Sequence, residues 1–105
     1  MYLFVRHRVM DFTRWKNAFD EGRMERLRAG MTSEQLFRSE DDLNDVLILH
    51  GWDSSERARK FVHAADLQEK IEMAGVMGMP EIVFLDEVVE PRRMSGQKSA
   101  EAATA

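Results

Sequence analysis

Three histidines in a chain without cysteine carry most of the chemistry this sequence can offer. His7 falls within Leu3-Phe4-Val5-Arg6-His7-Arg8-Val9, where Leu3, Val5, His7 and Val9 alternate with Phe4, Arg6 and Arg8. The imidazole therefore stands on the apolar side of a strand. His50 lies in Val46-Leu47-Ile48-Leu49-His50-Gly51-Trp52, on the side shared with Val46, Ile48 and Trp52. A buried imidazole needs a hydrogen-bonding partner or a ligand, and in its neutral form it serves as a base near neutral pH. His7 and His50 are the candidate catalytic residues, His7 first. Trp15, Phe19, Trp52 and Phe61 are the candidate ligand-binding walls of an aromatic slot around them. Plainer readings stand beside these. Trp15, Phe19 and Phe61 at helical spacing also suit an ordinary core, and His7 also suits a core histidine bonded to a backbone carbonyl. A slip of one residue would turn His50 to the opposite face. His63 reads as an exposed helix residue.

The elements that must position these side chains follow from the patterning. Strand alternation over Leu3–Val9 gives way to helical spacing at Phe12, Trp15 and Phe19. The first helix is expected from Asp11, as N-cap, to about Ala29, with Gly30 as its stop. A strand from about Ser33 to Ser39, the polar turn Glu40-Asp41-Asp42-Leu43-Asn44 and a strand over Val46–Trp52 predict a hairpin. Asp53-Ser54-Ser55-Glu56 has capping-box spacing with Asp53 in the cap position, and Asp66-Leu67-Gln68-Glu69 repeats the signal. The second helical region should thus break near Ala65, restart, and end at Gly75. A final strand is expected over Glu81–Val89, after Pro80.

This β-α-β-β-α-β order predicts an α+β, ferredoxin-like fold: an antiparallel four-stranded sheet with two helices on one face. Right-handed crossovers are read as setting the first and third strands side by side and parallel at its centre, bringing the two imidazoles to about the strand spacing of ~4.8 Å. Residues 1–90 form the single domain, and residues 91–105 a flexible tail with few large apolar groups. The uncovered sheet face, carrying Phe4, Leu47 and Leu49, is expected to pair with a second copy of the chain.

Composition narrows the function classes. The chain has 105 residues, 44% hydrophobic and 32% charged, with a formal charge of −4. That balance suits a globular domain and offers no cationic footprint for nucleic acid. Arg23, Glu25 and Arg26 alternate in sign as on a solvated helix face. Without cysteine, disulfides, thiolate catalysis and cysteine metal sites are excluded. No apolar run is long enough to span a membrane, and the start of the chain lacks a signal-peptide core, so a cytoplasmic location is expected. Two histidines alone make no zinc site, so no metal is expected. Residues Asp41–Asp45 lack the glycine and glutamate of a calcium loop, and Gly75 and Gly78 lack the strand-then-helix context of a phosphate loop. The eight methionines, with Met73, Met77 and Met79 close together, are read as core filler.

Taken together, Val5-Arg6-His7-Arg8-Val9 leading into Asp11-Phe12-Thr13-Arg14-Trp15-Lys16, then Arg38-Ser39-Glu40-Asp41-Asp42, Gly51-Trp52-Asp53 and Ala74-Gly75-Val76-Met77-Gly78-Met79-Pro80-Glu81, resemble the dimeric α+β barrel superfamily. More narrowly, the chain resembles its antibiotic-biosynthesis-monooxygenase-like and cyclase-like members. The resemblance implies a homodimer with sheets packed face to face, and a pocket between sheet and helices for a small apolar or aromatic molecule. Cofactor-independent oxygenation of an aromatic or polyketide-like substrate is one implied activity. A non-catalytic metabolite-binding or stress-related role is the alternative. Haem-degrading relatives carry Asn where His7 stands, and a haem-ligating histidine in a region that here reads Leu67–Met73 without one. No cofactor is therefore expected.

Overall fold

The computed structural model describes residues 1–64 and 67–92. In chain order the elements are β1 (Tyr2–Val9), α1 (Phe12–Glu21), α2 (Arg23–Ala29), β2 (Met31–Arg38), β3 (Asp45–Trp52), α3 (Ser55–Val62), α4 (Leu67–Met73) and β4 (Val76–Leu85). The strands form one sheet in the order β2-β3-β1-β4, antiparallel at every step. This is the expected ferredoxin-like arrangement, with one correction at its centre. β1 and β3 are neighbours but antiparallel, with Leu3 opposite His50 and Val46 opposite His7. Alternation along a strand reports which face is buried and carries no information on direction.

The crossover through α1 and α2 returns the chain so that β1 and β2 run the same way, and the hairpin then turns β3 opposite to both. Inner-face residues line up in rows across the sheet. Glu34, His50, Leu3 and Phe84 form one row, and Leu36, Ile48, Val5 and Ile82 the next.

Local sequence sets several element ends, and some differ from expectation. Asp11 caps α1 by accepting from the Thr13 N–H at 3.1 Å. The single expected first helix is instead two, separated at Gly22. The cap of α3 is Ser54, which accepts from the Arg57 N–H at 3.1 Å, and not Asp53, whose carboxylate pairs with the Arg57 guanidinium at 2.6 Å. The helical region does divide, into α3 and α4; residues 65–66, where the break was expected, lie outside the described residues.

β4 starts earlier and ends earlier than expected. It takes in Pro80 because β4 is an edge strand with an irregularity against His7: Arg6 pairs with Glu81 and Arg8 with Met77, leaving Gly78, Met79 and Pro80 outside the ladder. Met77 and Met79 along this edge, and Met73 at the end of α4, are exposed and are not core filler. Of the expected tail, residues 93–105 lie outside the described residues.

Packing falls into two clusters on the inner face. Leu3, Met31, Trp52 and Ala58 pack beneath α3. Val9, Trp15, Val46 and Ile48 pack beneath α1. Val5 touches both.

The α2–β2 corner depends on Gly30, whose φ of +124° side chains rarely adopt and whose carbonyl accepts from the Asp53 N–H at 3.0 Å. A β-carbon there would lie 2.7 Å from Asp53 Oδ1. Gly30→Ala should therefore lower stability by about 1–3 kcal/mol, visible as a drop of several degrees in a thermal melt. An unchanged melting temperature would contradict this account of the corner.

Candidate functional site

The inner sheet face and the helices line a cavity of about 560 Å³ that is partly open to solvent. Strand alternation presents Leu3, Val5, His7, Ile48 and His50 to its floor. Helical spacing on α1 adds Trp15, Ala18 and Phe19, and α2, α3 and α4 contribute Arg26, Phe61 and Ile71 among others.

Five of the six side chains singled out from the sequence line this cavity: His7, Trp15, Phe19, His50 and Phe61. Trp52 does not; it is buried in the α3 cluster behind the cavity, although all six belong to one chain of ring contacts. Trp15 lies 5.8 Å from His7 and 4.7 Å from Phe19, centre to centre. Phe19 lies 6.3 Å from His50, His50 6.4 Å from Trp52, and Trp52 5.3 Å from Phe61. The two histidines are not opposite one another. The antiparallel register sets their backbone positions four residues apart along the sheet, ~13 Å of strand. His63 closes α3 and is exposed, as the sequence suggested.

Both site histidines are buried, His7 at 7% exposure and His50 at 4%. Burial pushes the His7 pKa down to about 4, with the charge of His50 adding to the effect. The same burial carries His50 down to about 4; Glu34 opposes it, and Arg26 reinforces it. Each ring is therefore neutral at pH 7.

Their surroundings differ. His50 Nε2 lies 3.0 Å from Glu34 Oε2, its cross-strand neighbour. A carboxylate can only accept, so Nε2 carries the proton and Nδ1 keeps the lone pair. The same Glu34 oxygen accepts from Arg26 Nε at 2.9 Å, and the guanidinium lies 4.0 Å over the Phe19 ring. His7 has no such carboxylate. It packs on Trp15 and also borders a smaller hollow of about 260 Å³ at the β4 irregularity, shared with Arg6, Met77 and Gly78.

Arg26 and Glu34 were missed by sequence reasoning, which placed Arg26 on a solvated face. Arg26 is only 8% exposed. A signal was present: Trp15, Phe19, Gly22 and Arg26 recur at three- and four-residue intervals, and Glu34 shares its strand side with Leu36. Among the described residues, no group of three or more His, Asp or Glu side chains converges as a metal site. No helix there is long and apolar enough to cross a membrane.

The fold is shared with solved structures of known class. A structure provisionally assigned as an antibiotic biosynthesis monooxygenase from Bordetella bronchiseptica superimposes with a TM-score of 0.70, at 17% identity, over 84% of this chain and 96% of that one. SnoaB, a cofactor-independent oxygenase from Streptomyces nogalater, superimposes with a TM-score of 0.65, at 13% identity, over 86% and 96%. Another antibiotic biosynthesis monooxygenase gives 0.65, at 10% identity, over 84% and 98%. No protein-family model matches the sequence, and no curated protein matches it. The chain thus has the antibiotic-biosynthesis-monooxygenase-like, ferredoxin-type α+β fold that the sequence resemblance implied.

Protonation of the two histidines links this site to stability. The unfolded chain takes up protons below pH 6.5, whereas each buried ring resists until about pH 4. Stability is therefore full above pH 6.5 and is lost as pH falls toward 4, by about 3 kcal/mol for each histidine. Urea unfolding at pH 7 and pH 5 should show this loss, and His7→Phe should remove roughly half of the histidine share. An identical pH dependence in the variant would show that His7 titrates normally in the folded protein.

Proposed function

We propose that the protein binds an aromatic small molecule in the cavity between sheet and helices and oxygenates it without a cofactor. One observation carries this reading. A mostly apolar, aromatic-walled cavity holds two buried neutral imidazoles, one of them oriented by a carboxylate. Such chemistry needs a base to form the substrate anion, a pocket that limits water, and room for dioxygen. The SnoaB likeness concerns the fold and is consistent with this chemistry.

His50 is the stronger candidate for the base, ahead of His7. Its Nε2–H is held by Glu34, which fixes the tautomer and would stabilise the imidazolium formed when Nδ1 takes a proton. For an anthrone-like substrate the balance is simple. The enol tautomer gives its hydroxyl proton to the base, and the resulting delocalised anion is oxidised by dioxygen at the ring carbon. One oxygen atom ends there as the new carbonyl, and the other leaves as water with that carbon's remaining hydrogen and the proton.

Purified protein without added flavin, metal or haem should consume one dioxygen per quinone formed. His50→Gln keeps a donor for Glu34 but lacks the basic lone pair, and should slow turnover by about 10²-fold or more. If His7→Asn abolishes turnover and His50→Gln does not, the base is His7. Ligand-dependent thermal protection without oxygen uptake would instead favour binding without catalysis.

The assembly proposed for this role is a homodimer through the sheet face that no helix covers. Phe4, Leu47, Leu49, Phe37 and Val83 are only half-buried or exposed there. The charge of Arg6 is already matched by Asp45 through two bonds of 3.0 and 2.7 Å. Light scattering should report about twice the chain mass of 12.2 kDa at micromolar concentration. Leu47→Arg should yield monomers, and a wild-type monomer under the same conditions would exclude this assembly.

A further inference from the structure

Arg26, Glu34 and His50 form a cluster that no fold-level comparison assigns. Glu34 Oε2 binds both Arg26 Nε and His50 Nε2, so guanidinium and imidazole stand side by side. Each brings one nitrogen without a partner: Arg26 Nη2, which can only donate, and His50 Nδ1, which in this tautomer can only accept. Both side chains are more than nine-tenths buried, and both line the cavity. Solvent touches neither nitrogen in this conformation. Buried polar atoms are rarely left unsatisfied, and two of opposite kind beside an open cavity point to a ligand group that serves both.

We propose that this cluster is an oxygen-recognition site that selects neutral aromatic molecules bearing a free hydroxyl and rejects carboxylates. The inference rests on the cavity being the ligand site. A hydroxyl is the smallest group that can donate to Nδ1 and accept from Nη2 at once. An ether oxygen only accepts, so it leaves Nδ1 unpaired. A carboxylate also only accepts, and it adds a second negative charge where one guanidinium already balances Glu34. Phe19, stacked on Trp15 at 4.7 Å and lying beneath the guanidinium, is part of the aromatic wall beside this polar corner. The ligand is therefore a planar aromatic with its hydroxyl directed at the α2–β2 side.

Three probes of one ring size separate the possibilities: α-naphthol, α-methoxynaphthalene and α-naphthoate, each titrated calorimetrically into the full chain at pH 7. The naphthol should bind about tenfold or more tightly than the ether, and the naphthoate no better than the ether. His50→Phe, which retains a ring against Phe19, should bring naphthol and ether affinities within about twofold of each other. Arg26→Lys keeps a cation for Glu34 but loses the planar fork, and should weaken naphthol binding selectively.

Equal affinity for naphthol and ether, or tightest binding of naphthoate, would overturn the recognition site and leave the cavity reading standing. Failure of all three probes to bind would overturn the cavity reading, and this inference with it. The wild-type comparison decides the matter even if a variant does not fold.

Discussion

β1 and β3 lie side by side with Leu3 opposite His50 and Val46 opposite His7, and a slip of one residue would reverse the facing of every side chain on either strand. That register directs Val5 and Ile48 into the floor of the cavity, and the β2–β3 register places Glu34 across from His50 on the same inner face. The β1–β3 register also sends Phe4, Leu47 and Leu49 to the open side. The helices add the roof, but their side chains have a site to complete only because the central pair presents alternating apolar and titratable groups to them.

The polar corner of the cavity follows from the cost of burying charge. Glu34 lies under α2, where a lone carboxylate would be expensive, and it is met by Arg26 and by the Nε2–H of His50. The guanidinium is in turn supported by the face of Phe19. Gly22 fits the same geometry: a β-carbon there would come to 3.0 Å from Arg26 Nη1. The break between α1 and α2 thus falls where the backbone makes room for the buried arginine. His7, at the other end of the ring series, has no comparable support, and the two histidines are unequal in what they can do.

The sheet manages its edges differently on its two sides. On β4 the ladder with β1 loses register where Gly78 takes φ +73° and Pro80 brings no N–H. This irregularity bends the edge beside His7 and leaves Met77 and Met79 exposed. It also opens the small hollow that His7 shares. The histidine is thereby bordered by two spaces, while His50 borders only the larger cavity.

Much of this was legible in the chain. The switch from two-residue to helical spacing between Val9 and Phe12, the polar turn before Asp45 and the glycines after the helices determined the element order, and with it the ferredoxin-like fold. Alternation was enough to place His7 and His50 on the covered face, because a strand side chain can point only one of two ways. Direction was legible too, since a crossover from β1 to β2 followed by a hairpin to β3 sets β3 antiparallel to β1. The parallel reading of the central pair ran against that order, and so the spacing of the two histidines along the sheet was misjudged. Arg26 and Glu34 were not legible. A charge in a helix or strand is ordinarily solvated, and only its partners reveal that it is buried. Those partners come from α2, β2 and β3, and which of them meet is decided by tertiary packing, where a carboxylate, a guanidinium and an imidazole satisfy one another out of water.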